Sequence, residues 1–93
     1  MYIVISYDIS DDDRRTRVAK VLLGYGRRVQ MSVYECVLDE RLYLKMKARV
    51  ERLIDQAEDS VRFYTLCRRC VGAIEICGQG TVTQDGADAV VIV

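Results

Sequence analysis

An α+β fold, with an antiparallel sheet covered on one face by two helices, is the class this sequence predicts. Three observations carry it. The chain opens on a run, Tyr2-Ile3-Val4-Ile5, that is apolar on both faces, as a central strand is. Two stretches follow with apolar residues at helical spacing, centred on 18–22 and 46–50. Between and after them lie segments rich in β-branched and aromatic residues, at 27–38, 60–66 and 71–77.

In the first strand Ile3 and Ile5 share a face with Tyr7, while Val4 and Ser6 share the other with Asp8. Asp8 thus falls at the C-terminal lip of a central strand, held by rigid backbone yet open to solvent. That place suits a metal-binding or proton-handling carboxylate, and it equally suits an aspartate that merely opens a turn. Ser10 reads as a helix N-cap with Asp13 as its capping-box acid, and three aspartates suit the positive end of the helix dipole. The helix runs over 12–23 and stops at Gly24-Tyr25-Gly26. Val18, Val21, Leu22 and Tyr25 form its apolar stripe, which Ala19 and Leu23 widen.

Residues 27–38 form either one bent strand or two short ones; with no Gly, Pro or Asn to mark a turn, the sequence favours one strand with a bulge. Asp39 caps a second helix over 40–57, with Leu42, Met46, Val50, Leu53, Ile54 and Ala57 inward. Segments 60–66 and 71–77 read as a hairpin joined by Cys67-Arg68-Arg69-Cys70. The elements add up to the ferredoxin-like split βαβ sandwich. Residues 1–78 are expected to form its core, and 79–93 a tail ending in the apolar strand 89–93, which needs an edge to pair with. In so small a domain that edge can belong to a second copy, making a homodimer.

Composition narrows the function. The 93 residues carry no net charge, so an anion site must come from local clustering. Such a cluster exists: from Arg14 to Tyr34 there are six basic residues and no acid. There is no histidine, which excludes Ser-His-Asp and Cys-His nucleophiles and mixed Cys/His zinc sites. Hydrolysis would need carboxylates, a metal or a substrate group. No signal-peptide pattern or apolar run of membrane length is present, so the expected location is cytoplasmic. Of four cysteines, Cys36 and Cys77 lie in strand patterns as ordinary buried thiols. Cys67 and Cys70 form a C-x-x-C that reads as incidental, as half of a metal site or as a disulfide pair.

Three motifs then stand together: Tyr7-Asp8-Ile9-Ser10-Asp11, Arg15-Thr16-Arg17-Val18, and Arg28-Val29-Gln30-Met31-Ser32-Val33-Tyr34-Glu35. In combination they resemble the CRISPR-associated nuclease family Cas2, the small partner of the integrase that captures new spacers. The resemblance spans nearly the whole chain. It implies a homodimer of ferredoxin-like protomers whose C-terminal strand joins the neighbour's sheet. It also implies that Asp8 is the catalytic and metal-binding residue, holding Mg²⁺ with its symmetry mate. By the same resemblance Tyr7, Arg15, Arg17, Arg28, Ser32 and Tyr34 are expected to serve nucleic-acid binding. The implied activity is Mg²⁺-dependent cleavage of RNA or DNA, with binding to integrase dimers. The alternative is a non-catalytic adaptor that bridges integrase dimers and binds prespacer DNA. Mg²⁺ suits the residues present, since it polarises phosphate and lowers the pKa of water without histidine. The C-x-x-C is no required feature of that family.

Overall fold

The computed structural model describes residues 1–84. Strand β1 (Tyr2–Asp8), helix α1 (Asp12–Leu23), strands β2 (Arg27–Gln30) and β3 (Val33–Val37), helix α2 (Glu40–Leu53), strand β4 (Ser60–Leu66) and helix α3 (Arg68–Gly72) follow in order. The sheet runs β2-β3-β1-β4 with every neighbouring pair antiparallel. This is the ferredoxin-like fold, and β1 lies inside the sheet as its apolar pattern predicts. Ile3, Ile5 and Tyr7 from β1 join Tyr34 and Cys36 from β3 in one core with Val18 and Leu22 of α1 and Met46 and Val50 of α2. Alternation along β1 puts Val4, Ser6 and Asp8 on the opposite, open face.

Several elements differ from the sequence reading, each for a local reason. The N-cap of α1 is Asp11, not Ser10: its carboxylate accepts from the Arg14 N–H at 2.9 Å. Ser and Asp cap about equally well. Here Arg15 donates to the Ile9 and Ser10 carbonyls, and buried Ile9 holds the chain extended for one residue more. Leu23 is exposed rather than part of the stripe. Residues 27–38 are two strands, not one; they form a hairpin around Met31-Ser32 with a register shift between Arg28 and Gln30. Gly26 at its entrance is required, because a Cβ there would lie 2.2 Å from the Glu35 carbonyl oxygen.

Asp39 caps α2 as expected, accepting from the Leu42 N–H at 2.8 Å. The helix ends at Leu53, four residues early, because aspartate side chains take over the backbone donors beyond it. Asp59 accepts from the Asp55 N–H, and Asp55 from the Ala57 N–H, each at 2.8 Å. The expected strand 71–77 is absent among the described residues. Cys67 is instead the extended N-cap of α3, and the Val71 N–H closes the first turn on the Cys67 carbonyl at 2.9 Å. Gly78 and Gly80, both with positive φ, then turn the chain back. Residues 81–83 cross to β2 and β3: Thr83 is buried, donates to Glu35 at 2.6 Å and accepts from Arg27 at 2.8 Å. The proposed clasping strand, 89–93, lies outside the described residues.

Candidate nucleic-acid interface

The site begins where β1 runs out. The Tyr7 N–H donates to the Ser32 carbonyl at 3.1 Å, tying the end of β1 to the β2–β3 turn. This bond brings two of the three sequence motifs together, and the third follows within the first two turns of α1. A shallow depression of about 560 Å³ results, lined by Tyr7, Asp8, Arg15, Lys20, Arg28 and Ser32, with Ile9, Leu23 and Met31 among its apolar walls. Five of the seven expected site residues therefore share one surface. Arg17 lies exposed on α1 outside the depression, and Tyr34 is fully buried beneath it.

Tyr34 acts through Tyr7. Their rings stack with centroids 5.9 Å apart. The Tyr34 hydroxyl is buried without a well-formed hydrogen bond. Burial first, and then the neighbouring Tyr34 hydroxyl, push the Tyr7 phenol up to about 12, while Arg28 and Arg15 pull weakly the other way. Tyr7 thus stays protonated at neutral pH as a neutral edge of the depression.

The basic cluster divides into two kinds of residue. Arg14, counted with it in the sequence, is committed to the fold. Its Nε–H donates to Asp59 at 2.8 Å, and an Nη2–H reaches Glu58 at 3.2 Å. That pairing holds the Asp59 carboxyl below the usual carboxylate range and Arg14 above its own. Arg27 is likewise occupied by Thr83 and the Thr81 carbonyl. Arg15 pairs with Asp12 and pins the β1–α1 loop through the Ile9 and Ser10 carbonyls. Arg17, Lys20 and Arg28 make no hydrogen bond or ion pair among the described residues. They are the cations free to meet an anion. Sequence reasoning missed the commitment of Arg14; the only sign of it was the acidic pair Glu58-Asp59 just before β4.

Asp8 is exposed at the strand end opposite Ser60. No group of three or more Cys, Asp or Glu side chains among the described residues is arranged to hold a metal ion. Among the residues that line the depression, Asp8 is the only carboxylate. That fits Mg²⁺, which keeps several waters and is commonly bound through one or two carboxylates, once a second copy supplies the other.

A family model described as CRISPR associated protein Cas2 matches residues 1–74. The chain is 44% identical over 93 residues to CRISPR-associated endoribonuclease Cas2 1 of Chloroflexus aurantiacus, covering 99% of this chain and 100% of that one. Its fold matches the crystal structure of Streptococcus pyogenes Cas2 with a TM-score of 0.74 at 34% identity, over 84% of this chain and 100% of that one. A chain of a partial Cas6-RT-Cas1–Cas2 complex is similar at a TM-score of 0.71 and 25% identity, over 81% and 88% of the two chains. No described helix is long and apolar enough to cross a membrane.

Proposed function

The chain belongs to the CRISPR-associated Cas2 family, and from that premise we propose that it acts as a homodimeric, Mg²⁺-dependent endonuclease within the spacer-acquisition machinery. The observation that carries the reading is the convergence of Asp8, Tyr7, Arg15, Arg28 and Ser32 on one depression. A phosphodiester strand laid along it meets Arg28 and Lys20, with Arg17 extending the contact over α1. Arginine is suited to this work because its planar fork can hold two phosphate oxygens at once. Arg15 keeps the β1–α1 loop in place, so Asp8 stays at a fixed height beside the strand. Mg²⁺, when bound by the Asp8 carboxylates of two protomers, supplies positive charge against the phosphate. RNA and DNA backbones both offer the phosphates the cations need.

The relative from Chloroflexus aurantiacus, described as an endoribonuclease, supports the catalytic reading. The similar chain in a complex with Cas1 favours a second reading, a non-catalytic adaptor that binds duplex DNA between integrase dimers. Asp8→Asn separates the two. Labelled RNA and DNA are incubated with purified wild type and variant in Mg²⁺, and assembly with the integrase and a short duplex is followed by sedimentation. The catalytic reading expects cleavage by wild type that EDTA and Asp8→Asn both abolish. Cleavage unchanged in the variant refutes Asp8 as the catalytic residue. Absent cleavage with intact assembly of both proteins leaves the adaptor.

A further inference from the structure

Cys67 and Cys70 are used by none of this. Both thiols are exposed and free. The sequence places them three apart, and the fold decides what that spacing means. The sequence alone placed them around a hairpin loop. Instead Cys67 is the extended N-cap residue of α3, with φ −72° and ψ 167°, and Cys70 is in the helix's first turn. A cap residue and the residue three further on lie over the same turn, which puts Cys67 and Cys70 side by side at the helix start. The Cys67 thiol is exposed, so its sulfur is available to reagents.

The other two cysteines show what a thiol without this setting looks like. Cys36 is fully buried and lies 3.8 Å from the Met46 sulfur; burial pushes its thiol up to about 12. Cys77 is exposed but lies beyond α3, outside the C-x-x-C turn. At the pair itself the two thiols are driven apart. The Cys70 backbone N–H, and then its thiol, draw Cys67 below the ordinary thiol range, while the same contact raises Cys70. An accessible, more acidic thiol beside a resolving partner is the arrangement of thiol–disulfide exchange.

We propose that Cys67 and Cys70 form a thiol–disulfide exchange site, which closes to an intrachain disulfide when it meets a small-molecule disulfide. The Cys67 thiolate attacks one sulfur of the oxidant, forming a mixed disulfide and expelling one thiolate. Cys70 then gives its proton to solvent and attacks the Cys67 sulfur, forming the Cys67–Cys70 bond and expelling the second thiolate. Two protein thiols are oxidised and one disulfide is reduced. The closed loop contains only Arg68 and Arg69, at the exit of β4.

The test uses the full chain and glutathione disulfide as probe, with alkylation, intact mass and peptide mapping. Cys67 and Cys70 are expected to lose alkylation together and to appear as one bridged peptide carrying no glutathione, while Cys36 stays unreactive. Cys70→Ser is expected to trap glutathione on Cys67 roughly tenfold more than wild type, because the resolving thiol is gone. The pH midpoint for Cys67 alkylation is expected below that of the same cysteine in the unfolded chain. A stable glutathione adduct on Cys67 in wild type, bridges to Cys77 or between chains, or no gain of adduct in Cys70→Ser would each overturn the proposal.

Discussion

Replacing Arg17, Lys20 and Arg28 together by alanine separates cations that can meet phosphate from cations that hold the fold. All three are exposed and unpaired among the described residues, so removing them leaves every ion pair in place. Each lost contact to duplex DNA lowers the slope of log affinity against log salt by about 0.9, so three contacts lower it by about 2.7 per protomer. Between about 50 and 200 mM salt, the variant should then lose about 40-fold less affinity than wild type. Arg14→Ala is the control. Its guanidinium is held by Asp59 and Glu58, so the variant should lose stability and keep the wild-type slope. Fluorescence anisotropy of a labelled duplex across a salt series reads both effects. A triple variant with the wild-type slope, or an Arg14→Ala slope lowered as much as the triple variant's, would refute the division of the basic cluster.

Gly26→Ala should destabilise the protein by about 3 kcal/mol, the upper end of overpacking, since its Cβ meets the Glu35 carbonyl oxygen at 2.2 Å and the Cys36 sulfur at 2.5 Å. Urea unfolding checks it, and an unchanged midpoint would contradict the close approach. Tyr34→Phe removes a buried hydroxyl with no well-formed partner and should stabilise by about 1 kcal/mol, a Tm gain of ~4–8 °C. It should also bring the Tyr7 titration, read by ultraviolet absorbance, down from about 12. A lower Tm would show that the hydroxyl is satisfied after all. Asp59 carries a depressed pKa, so its contribution to stability is present above the unfolded value near ~3.9 and fades as pH falls through the folded one. Asp59→Asn should therefore lower stability at neutral pH and flatten the acid limb of a melting-temperature profile.

The sequence made some elements readable because one local signal decided them. β1 was apolar on both faces, and Asp39 stood alone before a clean helical stripe; both elements start where that pattern put them. The ferredoxin-like class also held, although its strand inventory changed. One expected bent strand became β2 and β3, and the expected strand 71–77 became α3 with an irregular exit. Those differences arose where competing local choices were nearly balanced. The Met31-Ser32 turn carries no Gly, Pro or Asn and is fixed by the Tyr7–Ser32 bond, a contact across the sheet. At Ser10-Asp11 two good caps stood side by side, and the burial of Ile9 selected the second.

The grouping of Asp8, Arg15, Arg28 and Ser32 was legible from their motifs. The fate of Arg14 and Arg27 was not, because their partners, Asp59 and Thr83, lie 45 and 56 residues away. Tyr34 shows the same limit. Its place in a strand was readable, but its complete burial under Tyr7 depends on which face β3 turns to the helices.

The pairing of two Asp8 carboxylates around one divalent ion is tested most directly by titrating Mn²⁺ as a stand-in for Mg²⁺, with electron paramagnetic resonance counting the free ion. Wild type should bind one ion for every two chains, and Asp8→Asn should bind none. Equal binding by the two proteins, or one ion on each separate chain, would contradict a metal site shared between protomers.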